Sequence, residues 1–136
     1  MTEQGPSATL HALMHRYIDL FNASDFETAL SECYLLPFSW LVGPNISTAL
    51  SPADFVAHLS TMRAGLADDG LERSELLGCT VRMMGPNVAL VGVEVARHYA
   101  DGREAEVSGG TYVAHGNGEN WRLALLIAHP IEDIVT

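Results

Sequence analysis

Lysine is absent from this sequence; all seven basic residues are arginine. That excludes a Schiff-base lysine and the lysine of a phosphate-binding loop. Against seventeen acids, the arginines leave a net charge of −10. No basic stripe is available to displace counterions, so no nucleic-acid partner is expected. Cysteine is nearly absent too: Cys33 and Cys79 lie far apart and match no zinc or redox spacing. They are expected to be reduced and to behave as small hydrophobes. No run approaches the roughly 18 apolar residues of a membrane span. The opening MTEQGPSATL lacks a basic-then-apolar export signal. The expectation is a cytoplasmic protein without a membrane partner.

Apolar side chains, by contrast, are plentiful. They make up 48% of 136 residues, with only 18% charged, which suits one folded domain over 1–136 with a loose tail at 1–6. A slightly positive mean hydropathy fits a large core plus a subunit interface. Helical periodicity fills the first half. Leu10, Leu13, Met14, Tyr17, Leu20 and Phe21 form one apolar stripe over 7–23, with Ser7 as its N-cap. Asn22-Ala23-Ser24-Asp25 breaks that helix, and Ser24 or Asp25 caps a second over Phe26–Tyr34. Residues 38–50 read as short extended pieces around Gly43-Pro44-Asn45. Ser51-Pro52 opens a third helix with Phe55, Leu59, Met62 and Leu66 inward, and Asp68-Asp69-Gly70 stops it.

Strand patterns occupy the second half, at 75–84, 88–99, 104–115 and 120–129. Gly85-Pro86-Asn87, Asp101-Gly102 and Gly116-Asn117-Gly118 separate them, and turns this short imply antiparallel hairpins. The class is therefore α+β, with three N-terminal helices on a curved, mostly antiparallel sheet. Both faces of 88–99 and 121–129 are rich in apolar residues. A singly covered antiparallel sheet should alternate, so a second copy of the chain is expected on the outer face.

The segments RYIDLFNASDFETAL (Arg16–Leu30), SPADF (Ser51–Phe55), RHYADGRE (Arg97–Glu104) and NWRLALL (Asn120–Leu126) resemble the nuclear-transport-factor-two-like superfamily. That superfamily includes the ketosteroid isomerases and the SnoaL-like polyketide cyclases. The resemblance implies a cystatin-like cone, or half-barrel, enclosing a pocket, and a dimer through the sheet's other face. For the isomerase branch it implies a helix-one tyrosine as oxyanion donor, a carboxylate base and a late protonated acid. Tyr17 matches the first. The other two positions fall near Leu41 or Val42 and near Thr111, which cannot do that work.

Candidate site residues follow from position. Tyr17 is either a core aromatic or a hydroxyl donor into the pocket. His58, on the flank of the third helix, is a partly exposed histidine or a pocket base. His129 ends the last strand on the face of Trp121, Leu123, Leu125 and Ile127. If that face is concave, its imidazole is a second candidate base. Thr111, Val113, Leu125 and Ile127 then join Trp40, Met62 and Arg97 as ligand-binding residues. Glu94, on the face opposite Arg97, is assigned to the dimer interface. His11 and His15 have the i, i+4 spacing of a metal pair but face away from the stripe with no third ligand, so no metal is expected. Phosphate-loop, nucleophile-elbow and H-E-x-x-H signatures are missing, and no cofactor is expected.

Two functions of different class remain open. The first is a domain that binds a small apolar or semi-polar organic molecule. The second is a cofactor-independent isomerase, cyclase or dehydratase using a histidine base and Tyr17. A protein-binding scaffold that uses the sheet face is a third.

Overall fold

Residues 5–117 and 120–133 are described by the structure, a computed structural model. The first four residues of the expected tail, and Gly118 of the last turn, lie outside them. Helix α1 spans Gly5–Asn22, α2 Phe26–Cys33 and α3 Pro52–Asp68. The strands are β1 Tyr34–Val42, β2 Asn45–Ala49, β3 Leu71–Met83, β4 Val88–Tyr99, β5 Glu106–Asn117 and β6 Asn120–His129, followed by a single 3₁₀ turn at Ile131–Asp133.

Local chemistry explains most of these boundaries. Helix α1 begins at Gly5, three residues before the Ala8 start that a Ser7 cap predicts, so Ser7 lies inside its first turn. It ends in a Schellman motif: Asp25 N–H donates to the Leu20 carbonyl and Ser24 N–H to that of Phe21, at 2.9 and 3.0 Å. Ser24 takes the left-handed position that glycine usually fills, with φ +57°. Asp25 then serves twice, because its carboxylate accepts from Thr28 N–H at 3.2 Å and caps α2. The Ser51 hydroxyl caps α3 by accepting from Asp54 N–H at 3.2 Å, with Pro52 in the first turn.

One six-stranded sheet runs in the order β2-β1-β6-β5-β4-β3. All neighbours are antiparallel except β1 and β6, which are parallel. Strand β3 starts at Leu71, four residues before the alternating pattern begins, because two register shifts interrupt its alternation, between Leu71 and Arg73 and between Leu76 and Gly78. A third lies on β6, where Val113 pairs with Leu125 but Ala114 pairs with Leu123. Ala124 is the extra residue of a β-bulge. Bulges increase local bending and twist, and these curl the sheet around the helices.

The concave face holds the core. Phe38, Val91, Ala114 and Leu123 have no exposed surface, and neither do Leu10 and Met14 of α1 or Phe55 and Leu59 of α3. Aromatic rings tie the layers: Tyr34 to Phe38 and Tyr34 to Phe55, each with centroids 4.7 Å apart, and Phe38 to Trp40 at 4.8 Å. On the convex face Leu90, Val113, Leu125 and Ile127 are only partly buried. No helix among the described residues is long and apolar enough to cross a membrane.

Candidate functional site

Between α1, α3 and the concave face lies a cavity of about 690 Å³. Ile18, Phe21, Met62, Val93, Val95 and Leu126 supply most of its apolar wall, and Trp40 closes one side. Tyr17 and Tyr112 reach it from opposite layers. Their rings meet edge to face at 6.3 Å, and Tyr34 stands behind Tyr17 at 5.2 Å. The three buried hydroxyls interact with one another. Burial raises the Tyr17 pKa above its ordinary 10, and the hydroxyls of Tyr34 and Tyr112 pull it partly back. Burial pushes the other two well above 10. All three are neutral phenols at physiological pH and therefore able to donate.

His58 lines the cavity, its ring stacked on Trp40 at 3.8 Å with 19° between planes. Burial lowers its pKa from the ordinary 6.5, so the imidazole is neutral near pH 7. Arg97 and Ser74 face the cavity from directly paired positions on β4 and β3, with Ser108 on β5 beside them. Among the described residues, no aspartate or glutamate lines the cavity. A second, more open cleft along α3 and β2 shares Trp40, His58 and Met62 and is bordered by Asp54. Burial raises the thiols of Cys33 and Cys79 to about 11, so neither is a nucleophile at neutral pH.

The structure brings Tyr17, Trp40, His58, Met62 and Arg97 to one cavity. It does not bring Thr111, Val113, Leu125 and Ile127 there: for Leu125 and Ile127 the bulge at Ala124 is the reason, while on β5, whose alternation is unbroken, Thr111 and Val113 simply occupy the face opposite Tyr112. Side chains alternate along a strand, so one extra residue exchanges the faces of everything beyond it. Trp121 and Leu123 stay on the concave side, while Leu126 and Ala128 replace Leu125 and Ile127 as lining residues. Thr111 and Val113 pair with the displaced residues and share their convex face.

His129 touches the rim where β6 ends, but its ring is bound elsewhere. Nε2 meets Thr111 Oγ1 at 2.7 Å and Nδ1 meets the Pro130 carbonyl at 2.7 Å. A carbonyl only accepts, which places a proton on Nδ1 and leaves Nε2 to accept from the threonine. His58 and His129 therefore do not converge on a shared point with Tyr17. Glu94 lies on the convex face, its carboxylate over Gly78. His11 and His15 are exposed, and no group of three or more metal-ligating side chains occurs among the described residues.

Sequence reasoning missed Ser74, Ser108, Tyr112, Leu126 and Asn22. Tyr112 and Ser108 follow from simple alternation on β5 once Tyr112 is taken as inward. Asn22 belongs to the R-Y-x-x-x-x-N-x-x-D pattern that opens Arg16–Leu30. Its amide bridges α1 to β3, accepting from Ser74 N–H at 2.7 Å and donating to the Ser74 carbonyl at 2.9 Å.

The model of an NTF2-like protein family, DUF6841, matches residues 7–131. No protein of curated function matches. Among solved structures, the chain is similar to an NTF2-like protein with a cystatin-like fold from Novosphingobium aromaticivorans. That pair is 19% identical with a TM-score of 0.70, covering 93% of this chain and 82% of that one. It is similar to a candidate dehydratase of the NTF2-like family from Streptomyces avermitilis, 17% identical, TM-score 0.70, covering 95% and 98%. A candidate scytalone dehydratase from Novosphingobium aromaticivorans is 12% identical, TM-score 0.63, covering 90% and 82%. At these identities the likeness is one of fold.

Proposed function

The chain belongs to the NTF2-like family DUF6841, and from that premise we propose that it is a small-molecule-binding domain whose organic ligand occupies the cavity between helices and sheet. The cavity itself carries the reading. Protein interiors are close-packed, yet about 690 Å³ stays open here, walled by apolar side chains with a few polar groups at its ends. That volume and lining suit a molecule of drug-like size.

The test is fluorescence titration with N-phenyl-1-naphthylamine, a neutral apolar probe, alongside native mass spectrometry of the purified protein. Micromolar binding is expected, abolished by Val95→Trp, which fills the cavity, and unchanged by His11→Ala, an exposed position on α1 outside the lining. Absence of probe enhancement together with a bare protein mass would overturn the proposal.

A second reading, acid–base catalysis without a cofactor, draws on His58 and Tyr17 lining the same cavity, the imidazole neutral and the phenol protonated. It has one candidate base, not two. Two structural relatives are described as candidate dehydratases. Exchange of α-protons of a cavity-bound ketone with D2O, lost in His58→Gln, would support it; exchange persisting in that variant would remove it.

Self-association through the convex face belongs to the same proposal. The partly exposed Leu90, Val113, Leu125 and Ile127 support it, since such an apolar patch marks an interaction surface. Sedimentation showing a clean monomer at micromolar concentration would overturn it.

A further inference from the structure

The cavity has an unusual charge balance for this chain. Seventeen acids and seven arginines are distributed over the molecule, yet Arg97 is the one permanently charged residue among the cavity's lining. Its guanidinium side chain is about a third exposed (32%), and its ion pair with Glu106 is a single long contact of 3.8 Å to a carboxylate that is 62% exposed. Such pairs are weak and strongly screened. Among the described residues no hydrogen bond occupies the guanidinium N–H groups or the hydroxyls of Ser74 and Ser108. Ser74 is 4% exposed as a residue and lines the cavity. A guanidinium offers five donors in a fixed fork, and here Arg97 lines the cavity together with its β3 partner Ser74 and with Ser108, which pairs with Val95 two residues along β4.

We propose that the cavity takes an amphipathic organic anion, a carboxylate or sulfonate on an apolar body, with its charged group held by Arg97 and the hydroxyls of Ser74 and Ser108. The apolar body lies along Val95, Val93 and Leu126. Among the described residues the lining itself holds no acid. Glu106, outside the lining, is the carboxylate that competes for Arg97 among the described residues, and it is mostly solvated. This inference rests on the ligand-binding reading above and adds the ligand's charge.

Two probes that differ by one anionic group separate the two ideas. 1-Anilinonaphthalene-8-sulfonate is N-phenyl-1-naphthylamine plus a sulfonate. Both are titrated against wild type, Arg97→Gln, Glu106→Gln and the cavity-filling Val95→Trp, with folding checked by circular dichroism. Arg97→Gln should weaken the anionic probe by about tenfold or more, the cost of losing a charge-assisted hydrogen-bond pair, and leave the neutral probe within twofold. Glu106→Gln should tighten the anionic probe about two- to threefold by removing a weak competing charge. Raising salt should loosen the anionic probe alone. If both probes bind but Arg97→Gln and Glu106→Gln shift neither selectively, the anion proposal is overturned while the cavity reading stands. Binding of the neutral probe alone would overturn the anion proposal in the same way. If neither binds, both fall.

Discussion

Replacing Asn22 by alanine tests the joint that holds α1 against β3. The amide closes a two-bond ring with the Ser74 backbone, at 2.7 and 2.9 Å. Ser74 is 4% exposed, so removal strands one N–H and one carbonyl with little water to replace the lost partner. Each buried group left unsatisfied costs about 1–3 kcal/mol, which puts Asn22→Ala at roughly 3 kcal/mol. For a domain of this size that is about 10 °C in Tm. Aspartate is the sharper probe. It keeps the acceptor for Ser74 N–H but turns a second carboxylate oxygen toward the Ser74 carbonyl. At neutral pH Asn22→Asp should therefore also be destabilised, and it should recover relative to wild type as acid protonates the new carboxyl and restores a donor. Urea denaturation at pH 7 and at pH 4.5 measures both variants. Asn22→Ala within about 0.5 kcal/mol of wild type, or Asn22→Asp equal to wild type at pH 7, would refute the reasoning.

Gly116→Ala should destabilise by about 1–3 kcal/mol through overpacking, because a Cβ there would sit 2.5 Å from Trp121 Cδ2 and against the Asn120 carbonyl; near-UV circular dichroism should show Trp121 losing its fixed environment. Leu126→Asp should cut binding of the neutral probe at least tenfold by placing a charge in the cavity wall, whereas Leu125→Asp should spare the probe and shift sedimentation toward monomer. Equal effects on the probe would deny the bulge at Ala124. His58 should titrate below 6.5 by NMR, since burial disfavours its charged form. The unfolded chain then takes up this proton first, so its contribution to stability is complete above pH 6.5 and is lost as pH falls toward the folded pKa. Denaturation midpoints at pH 7.5 and 5.5 check this, and His58→Gln should remove that part of the slope.

Several features were legible residue by residue because their causes are local. Asp25 caps α2 and Ser51 caps α3 through hydrogen bonds to residues three positions on, a geometry that spacing alone specifies. The turns around Gly43, Gly85 and Gly102 carry positive φ angles that favour glycine. The start of β3 was not legible, because the register shift between Leu71 and Arg73 breaks the period-two signal before Glu75. Within the site, Tyr17, His58 and Met62 were readable from helical spacing, which no bulge interrupts.

Local patterning by itself therefore determined the α+β class, the order of helices and strands, the caps and turns, and the helix faces that point inward. Tertiary structure alone decided which half of β6 faces the cavity. Alternation from Trp121 predicts Leu125, Ile127 and His129 inside, yet a single residue, Ala124, sits opposite no partner on β5 and exchanges the faces beyond it. A bulge is a property of how two strands pair, and neither strand's own sequence carries its position. For the same reason, pairing across three strands was needed to set Arg97 beside Ser74 and Ser108 and so give the cavity its one charged end.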